Sequence, residues 1–126
     1  MRQQAASVTK RLMIVSAVIF MTSAASHADN FGAIAFSQSS GAYGTSYDYS
    51  SRRDAENRAM TECRTRSRGC KVAIWFRNAC GAVATGANGW GSAWAGNRQQ
   101  AERAAKQNCS KHTNGCRTLA WSCTSR

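Results

Sequence analysis

The chain repeats itself, and that constrains its fold more than any other feature. Shifted by 46 residues, Ala55-Glu56 falls on Ala101-Glu102, Ala59 on Ala105, Cys63 on Cys109, Cys70 on Cys116 and Trp75 on Trp121. Gly32-Ala33-Ile34-Ala35 falls on Gly81-Ala82-Val83-Ala84 at a shift of 49, and Cys80 on Cys123 at a shift of 43. Changes of shift mark insertions and deletions in loops, where they cost little. Self-similarity at a fixed period means one supersecondary unit used more than once. Here there are two units, about 31–80 and 81–126.

Each unit reads alike. A hairpin comes first: Phe31–Ser37 and Tyr43–Tyr49 around Gln38-Ser39-Ser40-Gly41, then Gly81–Thr85 and Trp90–Ala95 around a turn containing Asn88-Gly89. Asn-Gly predicts a tight hairpin turn, because both residues tolerate positive φ. A helix follows. Ser51 with Asp54 and Asn97 with Gln100 are spaced as capping pairs, and Ala55, Ala59, Cys63 and Ala101, Ala104, Ala105, Cys109 recur on one helical face. The last element is a strand, in which Val72, Ile74 and Phe76 alternate with Ala73, Trp75 and Arg77; its counterpart is Arg117–Trp121. The expected fold is α+β: two tandem ββαβ repeats forming a largely antiparallel sheet with two helices on one face. No proline interrupts the strands.

The N-terminus reads as a targeting segment. Arg2, Lys10 and Arg11 precede an apolar run, Leu12 to Met21, and then Ser26-His27-Ala28. That is the three-part pattern of a secretory signal peptide, predicted over 1–28. The run is too short for a membrane-spanning helix, which needs about 20 residues, and nothing else in the chain is apolar enough to span. The single exported domain is then 29–126, and a periplasmic or secreted location follows. Fourteen of the seventeen Lys and Arg and all six acids lie in 29–126, a formal charge of +8. Such a charge favours polyanions.

All six cysteines (Cys63, Cys70, Cys80, Cys109, Cys116 and Cys123) also lie there. An even number in a short exported chain predicts three disulfides. Zinc ribbons bring ligands in closely spaced pairs, and here the closest cysteines have six residues between them. Six cysteines allow 15 pairings, and repeat symmetry cuts that number. The preferred set is Cys63–Cys70 and Cys109–Cys116, each tying a helix end to the next strand, with Cys80–Cys123 joining the two units; pairings that cross between units stay open. With a core of alanines and few aromatics, three disulfides of about 2–4 kcal/mol each matter to stability.

Gly32-Ala33-Ile34-Ala35, Cys70-Lys71-Val72 with Trp75-Phe76, Asn78-Ala79-Cys80-Gly81-Ala82 and Leu119-Ala120-Trp121 together resemble an exported bacterial family, domain of unknown function 4189. The resemblance covers essentially all of 29–126; the short second turn is a departure that makes the second unit more compact. It implies a small exported α+β domain and no particular reaction.

No catalytic constellation stands out. A nucleophile needs a base within reach, itself held by a third group. The one histidine of 29–126, His112, sits in a polar stretch between cysteines, and paired cysteines leave no thiolate. Asp54, Glu56, Glu62 and Glu102 fall on arginine-rich helices. Asp54 with Arg58 and Glu62 with Arg66 have i,i+4 spacing, and Glu56 and Glu102 sit near helix starts, where a carboxylate complements the dipole. No phosphate loop, dinucleotide fingerprint or metal motif is present, and no cofactor or metal is expected. Two features suit binding. Tyr43, Tyr47 and Tyr49 alternate along one strand, as Trp90 and Trp94 do along its equivalent; such a stripe is read as core in a domain this small, though if exposed it would stack on sugars or bases. Arg64, Arg66, Arg68 and Lys71 surround the first cysteine pair, with Lys111 and Arg117 near the equivalent place, and arginine suits phosphate and carboxylate recognition. The expected function is therefore a non-enzymatic interaction protein that docks on another protein, as an inhibitor, a protective partner or a secreted effector. The alternative is a polyanion binder acting on nucleic acid, lipopolysaccharide or anionic membrane. An enzyme using Glu56, Glu102 or His112 ranks third.

Overall fold

The computed structural model describes residues 17–19 and 29–126, so the expected signal segment lies almost wholly outside the described residues. Eight elements follow in order: β1 (Phe31–Ser37), β2 (Tyr43–Tyr49), α1 (Arg52–Arg64), β3 (Cys70–Arg77), β4 (Cys80–Thr85), β5 (Trp90–Ala95), α2 (Arg98–Ser110) and β6 (Arg117–Cys123). This is ββαβ twice. The strands form two three-stranded antiparallel sheets, β2-β1-β3 and β5-β4-β6. Each hairpin pairs with the strand that follows its own helix.

The central strands explain the layering. On β1, Ala33 and Ala35 pack with Ala55, Ala59 and Cys63 of α1, whereas Ile34 and Phe36 pack with Phe76, Ala79, Val83 and Ala120. On β4, Ala82 and Ala84 face Ala101, Ala105 and Cys109 of α2, and Val83 faces the first sheet. Both central strands are thus buried on both faces, small residues outward and large ones inward. The result has four layers, helix, sheet, sheet, helix. The expectation of both helices on one face is corrected: each covers the outer face of its own sheet.

Small residues set the spacing. A Cβ at Gly44 would overlap the Ala59 carbonyl, and one at Gly91 the Cys109 amide, so the helices lie as close to their strands as backbone allows. Ser51 and Asn97 cap α1 and α2, accepting from the amides of Asp54 and Gln100 at 3.1 and 2.9 Å, each cap worth about 1 kcal/mol. At the sheet–sheet interface, Phe76 is 2 % exposed, and its ring fills the space above two glycines, Gly32 and Gly81.

The three disulfides are Cys63–Cys70, Cys109–Cys116 and Cys80–Cys123. The first two close equivalent loops after the helices. The third links β4 to β6, where Cys80 and Cys123 are directly opposed; it staples the second sheet and does not join the units, because Cys80 opens the second unit. The second hairpin turn also differs from its Asn-Gly reading. Neither Asn88 nor Gly89 has positive φ. The turn instead leans on the second cysteine loop, with Asn88 N–H donating to Thr113 Oγ1 (2.9 Å) and Ala87 N–H to the Asn114 carbonyl (3.2 Å).

Candidate binding surface

The edges of the two sheets run alongside one another in matching directions. Lys71 Nζ lies over the Trp90 ring at 4.7 Å, Ser92 Oγ donates to the Ala73 carbonyl, and Trp94 shares a cleft with Trp75, Phe76 and Arg77. β3 and β5 therefore run in step. On the other edge, Tyr43 and Thr45 share a cleft with Thr118–Trp121, Ser122 Oγ donates to the Ser46 carbonyl at 3.2 Å, and Ser125 reaches Asp48. β2 and β6 run in step too. The units are related by an approximate two-fold axis along the strands.

That symmetry gathers both hairpin turns and both cysteine loops at one end. The segments 38–42, 64–71, 86–89 and 110–117 hold six of the fourteen basic residues of 29–126 and none of the six acids. Of the domain's +8, six charges sit at this pole. Arg64, Arg66, Arg68, Lys71, Lys111, His112 and Arg117 are exposed there. Both loops are built alike: Arg66 and Ser67 amides donate to the Cys63 carbonyl at 3.0 Å, and His112 and Thr113 amides to that of Cys109 at 2.9 and 3.1 Å. Arg66 also donates to the Tyr43 carbonyl at 3.0 Å. Cations beside the C-terminal ends of two helices are electrostatically favourable, which gives the pole a structural benefit besides any binding. Gln38 from the first turn and Asn88, Asn108 and His112 from the second unit line a shallow depression there.

The opposite end carries the chain's entry and exit. Arg77 pairs with Asp29 at 3.5 Å, Asn78 exchanges hydrogen bonds with Asn30, and Ser125 donates both its amide and its hydroxyl to Asp48. The Ser125 hydroxyl, and then its amide, hold the Asp48 carboxyl below its usual value.

A family model described as Domain of unknown function (DUF4189) matches residues 31–123. The chain belongs to this family. No curated protein matches it. Among solved structures it is similar to the NMR structure of Rv1813c from Mycobacterium tuberculosis, at 29 % identity and a TM-score of 0.53, covering 75 % of this chain and 74 % of that one. These likenesses support the fold of this DUF4189 domain and carry no activity with them.

The structure of the DUF4189 domain brings the sequence-predicted basic residues Arg64, Arg66, Arg68 and Lys71 together at the pole. It divides the aromatic stripe. Trp90 is half-buried against Phe36, ring centroids 5.0 Å apart, while Tyr43, Tyr47 and Trp94 are exposed at 37, 59 and 65 %; for these three the core reading is corrected. Tyr49 leaves the stripe altogether. A bulge at the end of β2, with Asp48 at φ 61°, flips the alternation, and Tyr49 packs with the helix-side cluster. The expected ion pairs are also re-partnered: Arg52–Glu56 (2.6 Å), Arg58–Glu62 (2.9 Å) and Arg98–Glu102 (3.3 Å) form instead, because Arg66 lies beyond the end of α1. The sequence reading missed one repeated arrangement. Arg52 stacks on Trp75 at 4.5 Å and Arg98 on Trp121 at 3.8 Å, each arginine also holding its glutamate. The clue was available, since Arg52 and Arg98 share the 46-residue shift of the two tryptophans.

All six cysteines are paired, and among the described residues no group of three or more His, Cys, Asp or Glu is placed to hold a metal. No helix of the described residues is long and apolar enough to cross a membrane. Three disulfides are compatible with a place outside the cytoplasm.

Proposed function

We propose that this DUF4189 protein is an exported, non-enzymatic binding protein, periplasmic or secreted, that docks by its basic pole on an acidic partner as an inhibitor, a protective partner or a secreted effector. One observation carries the reading: six cations and no acid are held at one end of the frame, four of them (Arg64, Arg66, Arg68 and Lys111) within the two loops that disulfides close and two (Lys71 and Arg117) on the strands that follow. Fixed loops bind without a large ordering cost, and like charges brought together in this way steer an acidic partner. The uniform sign of the pole also favours the second reading, a polyanion such as nucleic acid, lipopolysaccharide or anionic membrane.

The test is a pull-down with oxidised 29–126 as bait, from periplasm and from candidate target-cell lysates, beside an Arg64→Ser/Arg66→Ser/Arg68→Ser variant. A single protein that survives a high-salt wash and is lost with the variant is the expected result. Recovery of only nucleic acid or anionic lipid, released steeply as salt rises, puts the polyanion reading first. Identical recoveries with wild type and variant would sink the pole as the docking surface.

A further inference from the structure

The aromatic residues the pole leaves out form a pattern of their own. In 29–126 the exposed large hydrophobic side chains are Tyr43, Tyr47, Trp75, Trp94 and Trp121. All five are aromatic and all lie on edge strands. Exposed apolar surface grouped in this way marks binding sites. Exposed ring faces stack on a ligand that is itself flat-faced.

Four of these rings border two clefts at opposite edges of the sandwich, while Tyr47 lies outside both, beside the β2 bulge. The β3/β5 cleft, about 550 Å³, is lined by Ile74, Trp75, Arg77 and Trp94. The β2/β6 cleft, about 480 Å³, is lined by Tyr43, Leu119, Trp121, Arg98 and Glu102. Both fall in the size range of small-ligand sites. Trp75 and Trp121 are repeat equivalents, each bearing its stacked arginine, so each cleft carries one copy of a duplicated arrangement, beside a second ring that differs, Trp94 in one and Tyr43 in the other.

Charge decides between flat-faced ligands. Nucleic acid needs unpaired cations along the bases to meet its phosphates. Here the arginines at the clefts are already neutralised: Arg52 by Glu56, Arg98 by Glu102 and Arg77 by Asp29. A locally neutral site with ring faces and paired donor and acceptor groups matches a neutral, hydroxyl-rich ring. The C–H face of a pyranose packs on the electron-rich face of an aromatic, and its hydroxyls meet guanidinium and carboxylate side by side. We propose that the two clefts are a pair of binding sites for neutral polysaccharide, which lets one protein molecule bridge two glycan chains.

The test is calorimetric titration of oxidised 29–126 with the β-1,4-linked hexasaccharides of glucose and of N-acetylglucosamine, at low salt and at high salt. Binding of at least one probe is expected, with two molecules per chain and little salt dependence. Trp94→Ala is expected to weaken one site about tenfold, within the range measured for aromatic stacking, and Tyr43→Ala the other. Both side chains are exposed enough to remove without unfolding, which unchanged circular dichroism and intact disulfides would verify. Failure of both probes to bind at millimolar concentration overturns the proposal. So does a stoichiometry of one, binding indifferent to both substitutions, or binding lost with salt and with the Arg64, Arg66 and Arg68 substitutions, which would put the sugar at the basic pole.

Discussion

The two units share a plan and solve its weak points differently. The end of β1 nearest the chain's entry places Phe31 opposite Arg77; the matching place in the second unit sets Cys80 opposite Cys123 and bonds them. Where the second unit has a covalent staple, the first has an Arg77–Asp29 ion pair, the Asn30–Asn78 exchange and a tilted Phe31–Trp75 contact at 6.2 Å. A second inequality sits on the axis itself. Phe76 and Ser122 are repeat equivalents, and both are buried. Near the axis there is room for one large ring, not two. Phe76 takes it, over both Gly32 and Gly81, and Ser122 shrinks to a hydroxyl that donates to the Ser46 carbonyl. A duplicated chain thus keeps its symmetry in the elements and gives it up where two copies of one side chain would collide.

That division of labour can be broken at several points. The largest effect is expected from Phe76→Ala, about 3–5 kcal/mol by analogy with other buried phenylalanines. Ser122→Ala at the equivalent position should cost only about 1 kcal/mol, the value of one hydrogen bond. Denaturant unfolding of the two variants measures the ratio directly, and equal losses would refute the unequal sharing of the axis. Replacing Cys80 and Cys123 together by alanine comes next. The sequence separation of 43 gives about 4 kcal/mol on the chain-entropy account, against about 2.5 kcal/mol for either separation-of-7 loop. If removing Cys63–Cys70 hurts as much as removing Cys80–Cys123, the second unit does not depend on its staple as described.

The smallest effect concerns Asp48. Its carboxyl titrates below the usual range because Ser125 hydrogen-bonds the charged form. A depressed folded value means that the contribution is present above the unfolded value and fades as pH falls through the folded one. Asp48→Asn should therefore lower the melting temperature slightly at neutral pH, with the gap to wild type closing in acid below the ordinary aspartate range. A gap that persists there would assign the effect to the bulge backbone and not to the charge.

The sequence carried much of this fold for identifiable reasons. Ala55, Ala59 and Cys63 and their partners 46 residues on mark helix faces that bury only small groups, and the pairs Cys63–Cys70 and Cys109–Cys116 follow from the same shift, whereas Cys80 and Cys123 stand where the first unit has Phe31 and Arg77 and are not equivalents of each other. The four-layer stacking was missed, both helices being expected on one face of a single sheet, although the runs Ala-Ile-Ala-Phe of β1 and Ala-Val-Ala of β4 are apolar at every position, as strands buried on both sides must be. Tyr49 was not legible, because a single-residue bulge reverses the alternation and leaves no mark in the side-chain pattern. The clefts were not legible either. They depend on β3 lying beside β5 and β6 beside β2, a matter of how two sheets stack, whereas the basic pole could be anticipated because its residues cluster in sequence.

One consequence follows from where the disulfides close. Cys63–Cys70 and Cys109–Cys116 cinch their loops at the base, so the residues between them contribute little to the packed layers. Substitutions at the exposed Arg64, Arg68, Lys111 and His112 can then accumulate with little effect on folding, whereas Arg66, Thr113 and Asn114 are tied to the hairpins and Gly115 to its positive φ. The molecule is in this sense a frame with two exchangeable tips, on which relatives of one architecture can diverge in what they recognise, and on which a new recognition sequence can be installed without redesigning the frame.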